Sequence, residues 1–154
     1  MHIHVADDET PKLDSILALV ERVLPTARIT TSRSVRSALK ALRGEVPDLL
    51  LLDMSLPTFD VGQGEQGGRP QGFGGIEVLR YMDFYNVLCP VVIITQYEAF
   101  PENGRHVDLS SLSQRLRAEH PGSFRDIIYY GGSSHEVWQE RLTILLPEIA
   151  GLRS

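Results

Sequence analysis

Three aspartates stand where the chain leaves apolar runs, and their placement is the first feature that could do chemistry. Asp7 and Asp8 follow the β-rich run Ile3–Ala6, and Asp53 follows four consecutive leucines, Leu49 to Leu52. A hydroxyl, Thr95, ends a third apolar run that begins at Val91. If these runs are neighbouring parallel strands, the four side chains converge outside the carboxyl edge of the sheet, where such sheets bind ligands. Carboxylates that close repel one another, and a hard divalent cation is the natural remedy. Mg²⁺ takes one or two carboxylates and completes its octahedron with water and phosphate oxygens. A cation there also lowers the charge barrier to a carboxylate attacking a phosphoryl donor. A single acid at a strand end is ordinarily a solvated loop residue; four residues at three strand ends favour a site.

The elements needed to position them alternate along the chain. After the first strand, Leu13, Ile16, Leu17, Val20 and Val23/Leu24 mark one face of a helix, with Pro11 in its first turn and Pro25 beyond its end. Arg28–Thr31 alternates as a second strand. Ser34 is placed to cap a second helix that turns Val35, Ala38, Leu39 and Leu42 inward and ends at Gly44. The leucine run between Asp48 and Asp53 suits a strand buried on both faces. Ile76–Met82 predicts a third helix, Val91–Thr95 a fourth strand and Ile127–Tyr130 a fifth. A final helix is expected over His135–Leu146, with Val137, Trp138, Leu142 and Leu145 inward and Pro147 ending it. This order predicts an α/β fold in one domain over residues 1–150. Its doubly wound, five-stranded parallel sheet takes the flavodoxin-like order 2-1-3-4-5.

Two stretches break the alternation. Residues 58–75 carry seven of the thirteen glycines without apolar periodicity and read as an inserted mobile loop. Within it, Gly62 to Gly67 matches G-x-G-x-x-G, but Gly68 and Pro70 follow where a helix should open, which disfavours dinucleotide binding. The connection over residues 96–126 is also enlarged; there Asp108 is placed to cap a helix with Leu109, Leu112 and Leu116 on one face.

Composition narrows the function classes. Hydrophobic residues make up 42% and charged residues 23%, an ordinary globular balance, and the net charge of -5 weighs against a protein that grips nucleic acid. One cysteine, Cys89, excludes an internal disulfide and reads as a buried structural thiol. No run approaches the ~20 apolar residues of a membrane span, and the N-terminus lacks the order of a signal peptide, so a cytoplasmic location is expected. The five histidines show no metal-ligand spacing. Ser133-Ser134-His135 reads as a helix cap rather than a nucleophile pair.

Together, Val5-Ala6-Asp7-Asp8-Glu9, Leu51-Leu52-Asp53-Met54-Ser55-Leu56-Pro57, Gly75-Ile76-Glu77-Val78-Leu79 and Val92-Ile93-Ile94-Thr95 resemble the receiver domains of two-component response regulators. The likeness covers Ile3 to Thr95 well and the remainder loosely. It implies that Asp53 is a phosphoacceptor, attacking in line to form an acyl phosphate. It further implies that Asp7, Asp8, Asp53 and the backbone carbonyl of Ser55 bind Mg²⁺, and that Thr95 is a switch hydroxyl biasing a two-state equilibrium. The implied partners are a histidine kinase or phosphotransferase as phosphodonor and an unidentified downstream protein, with a homodimer through the last-strand face as a further candidate.

The chain also departs from that pattern. Receivers carry a lysine and then proline after the fifth strand; here Asp126 to Ser133 contains neither, and the lysine position falls on Tyr130 or Gly131. The two lysines of the chain, Lys12 and Lys40, lie on the first two helices; Lys12, near the first acidic loop, is the one within reach of the site, but the pattern disfavours that placement. Gln96 stands where a small residue is usual, as a candidate phosphoryl contact or an obstruction. Losing one stabilising cation typically costs a few kcal/mol of barrier. The main expectation is a stand-alone receiver with no output domain after it, a phosphoacceptor rather than an enzyme, signalling by protein–protein contact. The alternative is a phosphorylation-independent pseudo-receiver serving as an interaction module. An aspartate-nucleophile phosphatase would want an acid where Ser55 stands. A flavin-binding relative would need a phosphate-cradling loop where Asp7 and Asp8 stand.

Overall fold

The computed structural model describes residues 1–60, 73–131 and 135–153. The chain order is β1 (His2–Ala6), α1 (Thr10–Val23), β2 (Arg28–Ser32), α2 (Val35–Gly44), β3 (Leu49–Leu52) and α3 (Gly74–Phe84). Then come β4 (Val91–Thr95), β5 (Ala99–Glu102), β6 (Arg105–Asp108), α4 (Leu109–Glu119), β7 (Phe124–Tyr129) and α5 (His135–Arg153). Five strands form one parallel sheet in the order β2-β1-β3-β4-β7. That is the flavodoxin-like order expected, with β7 in the place of the fifth strand.

Side-chain alternation divides the core in two. Ile3, Val5, Leu49, Leu51, Val92, Ile94 and Ile128 pack with α1 and α5. Ala6, Leu50, Leu52, Val91, Ile93 and Ile127 pack with α2, α3 and α4 on the opposite face. All four leucines of β3 are buried, each such burial contributing roughly 1.5–3 kcal/mol, so the strand after which Asp53 stands is among the firmest parts of the fold. Histidines on β1 find polar partners: the ring of buried His4 hydrogen-bonds Thr30 Oγ1 at 2.7 Å and Ser32 Oγ at 2.8 Å. Cys89 is buried, as expected.

Two helix starts follow the anticipated chemistry. Ser34 Oγ accepts from the Ser37 N–H at 3.1 Å, with Ser37 Oγ reciprocating at the Ser34 N–H. Asp108 accepts from the Ser111 N–H at 2.8 Å at the start of α4.

The last helix corrects one expectation: α5 runs through Pro147 to Arg153. Its inward residues are Trp138, Leu142, Leu146 and Ile149, while Val137 is 52% exposed. Proline removes one N–H from the helix ladder, but Pro147 and Thr143, whose carbonyl it leaves unpaired, both face water. Burial of Leu146 and Ile149 on either side favours continuing the helix.

A second difference lies in the enlarged connection. Before α4 the chain forms an antiparallel hairpin, β5 with β6, turning through Asn103 (φ 50°) and Gly104 (φ 78°). Ala99-Phe100-Pro101-Glu102 contains a proline and one buried apolar residue, Phe100, so it carries no alternation to detect. The fifth core strand also begins earlier than expected, at Phe124. Most of the glycine-rich insertion, including Gly62 to Gly67, lies outside the described residues, as do Ser133 and Ser134.

Candidate functional site

Strand register places two of the acids. The Asp7 N–H donates to the Ser32 carbonyl at 3.0 Å and the Asp53 N–H to the Ala6 carbonyl at 2.9 Å, so each stands one step beyond a parallel ladder. Asp8 follows directly, and carboxylate oxygens of Asp7, Asp8 and Asp53 lie within 4.8 Å of one another. Asp7 and Asp53 are 1% and 5% exposed, whereas Asp8 opens to solvent. The acidic loops are held from several sides. Asp7 accepts from the Glu9 N–H at 3.0 Å, and Asp53 from the Ser55 N–H at 3.3 Å. Arg33 donates to the Asp8 carbonyl at 2.9 Å and to Thr10 Oγ1 at 2.7 Å.

Lys12 belongs to this cluster, the placement that the sequence disfavours. Its ammonium lies 2.8 Å from Asp7 Oδ2 and 3.1 Å from Asp53 Oδ1, and its side chain is 1% exposed. A lysine in the first turn of a helix opposes the helix dipole, which is why it reads as a solvated residue there. The two ion pairs offset that cost. The overlooked signal is phase: Lys12 precedes Ile16 by four residues and Leu19 by seven, so it shares their inward face. Among the described residues it is the one basic side chain ion-paired with these acids.

The electrostatics show an incompletely balanced site. Burial pushes Asp7 up to about 6; the Lys12 ammonium pulls the other way, and repulsion from Asp53 adds to the rise. Partial burial, contact with Asp53 and repulsion from Asp53 and Asp7 bring Asp8 up to about 6. Burial works against the charge on Lys12, but Asp53 and Asp7 outweigh it and hold its pKa above the ordinary value. One ammonium thus pairs with two of three crowded carboxylates, an arrangement that a hard cation with oxygen ligands would relieve.

The remaining candidates divide. Gln96 and Ser55 line a cavity of about 320 Å³ together with Asp8 and Asp53. Thr95 is fully buried and does not line it; its hydroxyl accepts from the Tyr97 N–H at 3.2 Å. At the end of β7 the Tyr130 N–H continues the ladder to the Thr95 carbonyl at 2.7 Å. The Tyr130 ring lies 4.9 Å from that of Trp138, and its hydroxyl donates to Ser15 Oγ on α1 at 3.3 Å. A larger cavity, about 560 Å³, adjoins the first at Ser55 and Tyr97 and runs between α3 and the hairpin past Arg80, Phe100 and Arg115.

Two glycines matter to this geometry and were not singled out as such. The Gly75 N–H donates to the Met54 carbonyl at 2.9 Å. A Cβ on Gly74 would lie 2.1 Å from the Leu56 carbonyl oxygen, and one on Gly75 2.9 Å from that of Asp53. Only side-chain-free residues let α3 approach the loop that carries Asp53.

No family model matches the chain. It is 27% identical over 151 residues to the Detocs response regulatory protein DtcB of Enterobacter cloacae (strain JD6301), covering 97% of this chain and all of that one. A DtcB of Vibrio alginolyticus is 26% identical over 90% of this chain and 95% of its own length. Among solved structures, the response regulatory domain of protein mrkE from Klebsiella pneumoniae superposes with a TM-score of 0.68 at 14% identity, covering 99% of this chain and 97% of that one. A response regulator receiver domain protein from Clostridium thermocellum gives 0.63 at 18% identity, covering 99% and 95%. The fold is that of response-regulator receiver domains. Among the described residues, no helix is long and apolar enough to cross a membrane.

Proposed function

We propose that this chain is a response-regulator receiver that accepts a phosphoryl group on Asp53 and signals by contact with another protein. The observation that carries the reading is the convergence of Asp7, Asp8 and Asp53 within 4.8 Å at the carboxyl edge of the sheet. The similarity to proteins named response regulatory supports it. An Asp53 carboxylate oxygen attacks phosphorus, while the bond from phosphorus to the donor breaks and its electron pair leaves with the donor. The product is an acyl phosphate, and a histidine kinase or phosphotransferase is the fitting donor class.

The donor set suits Mg²⁺, being hard oxygens: the carboxylates of Asp7, Asp8 and Asp53, with the backbone carbonyl of Ser55 completing the protein's share. Bound there, Mg²⁺ supplies charge neutralisation for the carboxylates and the phosphoryl oxygens. The Gln96 amide offers donors to phosphoryl oxygens from the cavity wall. Thr95 serves as the switch: its hydroxyl accepts from the Tyr97 N–H and keeps its own O–H for a phosphoryl oxygen, so a shift of Thr95 toward the acceptor couples Asp53 to the start of the β5–β6 hairpin. The partner-facing surface lies on that rebuilt side, and self-association through the β7 face belongs to the same reading.

The test is intact-mass spectrometry after incubation with Mg²⁺ and acetyl phosphate, repeated with a histidine kinase supplied. A one-phosphoryl adduct, labile to mild base and lost in Asp53→Asn, is the expected result. One observation favours a second reading: Lys12 already bridges Asp7 and Asp53, as it would in an interaction module that needs neither metal nor phosphate. Failure to take a phosphoryl group from either donor, and to bind Mg²⁺ with beryllofluoride, would select that pseudo-receiver instead.

A further inference from the structure

We infer that Lys12 is the phosphoryl-pairing cation of this site, delivered from the first turn of α1 rather than from the end of β7; this rests on the phosphoacceptor reading above. The burial of the ammonium and its two carboxylate partners place it within the acceptor site itself. An ammonium has three N–H donors. Asp7 and Asp53 occupy two, leaving one for an oxygen added to Asp53. Phosphoryl transfer replaces the single charge of the Asp53 carboxylate with about two on its acyl phosphate, beside the atom group Lys12 already contacts. No other basic side chain among the described residues is ion-paired with these acids.

The opposite side of the site explains the arrangement. The residue that continues the β7 ladder is Tyr130, whose ring packs near Trp138 and whose hydroxyl reaches Ser15. Ser15 lies three residues after Lys12, so the same turn of α1 is tied to β7 through tyrosine and to the acids through lysine. Tyr130 spends its side chain on Trp138 and Ser15 and offers the acids no cation. Lys12 stays protonated throughout: its role is charge and hydrogen bonding, and no proton moves in the step.

Because the chain contains two lysines, the first readout leaves Lys12 itself unsubstituted. Protein labelled with ¹⁵N at lysine Nζ is titrated with Mg²⁺ and then beryllofluoride, with Lys40→Arg identifying the second signal. The Lys12 ammonium signal is expected to shift on addition of the phosphoryl mimic while that of Lys40 stays in place. Lys12→Met is expected to accumulate the Asp53 adduct from acetyl phosphate about 10²-fold more slowly than wild type, with Lys12→Arg recovering part of the rate. The affinity of Lys12→Met for Mg²⁺, measured by calorimetry, should rise, because a competing cation is gone. An unshifted Lys12 signal in protein that binds the mimic overturns the inference. So does a wild-type phosphorylation rate in Lys12→Met, or a fall in its Mg²⁺ affinity, which would make Lys12 a strut for the acids. Wild-type protein that takes neither mimic nor phosphoryl group overturns the phosphoacceptor reading instead.

Discussion

Where β1 and β3 end, Asp7 and Asp53 each stand one residue beyond a parallel ladder, and their approach follows from register and a buried run of leucines. Where β4 and β7 end, the chain leaves into a hairpin and α4 on one side and closes with Tyr130 on the other. The first flank is regular and carries the acids; the second is rebuilt and, among the described residues, carries no cation paired to them. The contrast teaches that a site's charge balance need not come from the strand end where it is sought. A helix crossing the same edge can supply it, provided the side chain is long enough to reach the acids.

The distinction can be broken from either flank. The largest effect is expected at Phe100, whose ring is buried and lies 5.5 Å from that of Phe73. Phe100→Ala should cost about 3 kcal/mol in urea unfolding. Hydrogen exchange should then rise through Ala99–Glu102 and Arg105–Asp108 while the β1–β3 ladder keeps its protection. A uniform rise would mean that both flanks fold as one unit. On the regular flank, Gly74→Ala sets a methyl against the Leu56 carbonyl and should cost about 2–3 kcal/mol, since backbone must move. Full stability in that variant would show that α3 does not brace the Asp53 loop.

Smaller effects sharpen the picture. Burial, with repulsion from His2, lowers the pKa of His4 to about 4 from its ordinary 6.5. The unfolded chain therefore takes up this proton first, and stability falls as pH drops from about 6.5 towards 4. His4→Gln should flatten that part of the profile, and an unchanged slope would remove His4 as its source. Asp8→Asn should raise the midpoint of thermal unfolding at neutral pH without Mg²⁺, by the equivalent of about 1 kcal/mol or less, because one crowded, partly solvated charge is gone. The same substitution should weaken Mg²⁺ binding; stabilisation without that weakening would detach Asp8 from the metal site. At the low end, Glu102→Gln breaks a half-exposed pair with Arg115 and should change stability by about 0.5 kcal/mol at most.

Much was legible before any coordinates. Strand order, the capping residues Ser34 and Asp108, and the meeting of Asp7, Asp8 and Asp53 all follow from local patterns, because parallel register converts sequence offset into position along the sheet edge. The hairpin was not legible, since one buried phenylalanine beside a proline leaves no alternation. Pro147 misled because a helix stop is a local preference, and burial of Leu146 and Ile149 overrides it.

By itself, then, the sequence determined which strands lie side by side and which acids must share an edge, since apolar periodicity and chain direction leave few other ways to bury those runs. The tertiary structure decided where the positive charge sits. Lys12 is forty-one residues from Asp53, and only its helical phase with Ile16 and Leu19 sets it apart locally from a solvated lysine. Only the packing of α1 across the sheet edge, with Ile16 and Leu19 drawing that face inward, turns its long stem under the carboxylates.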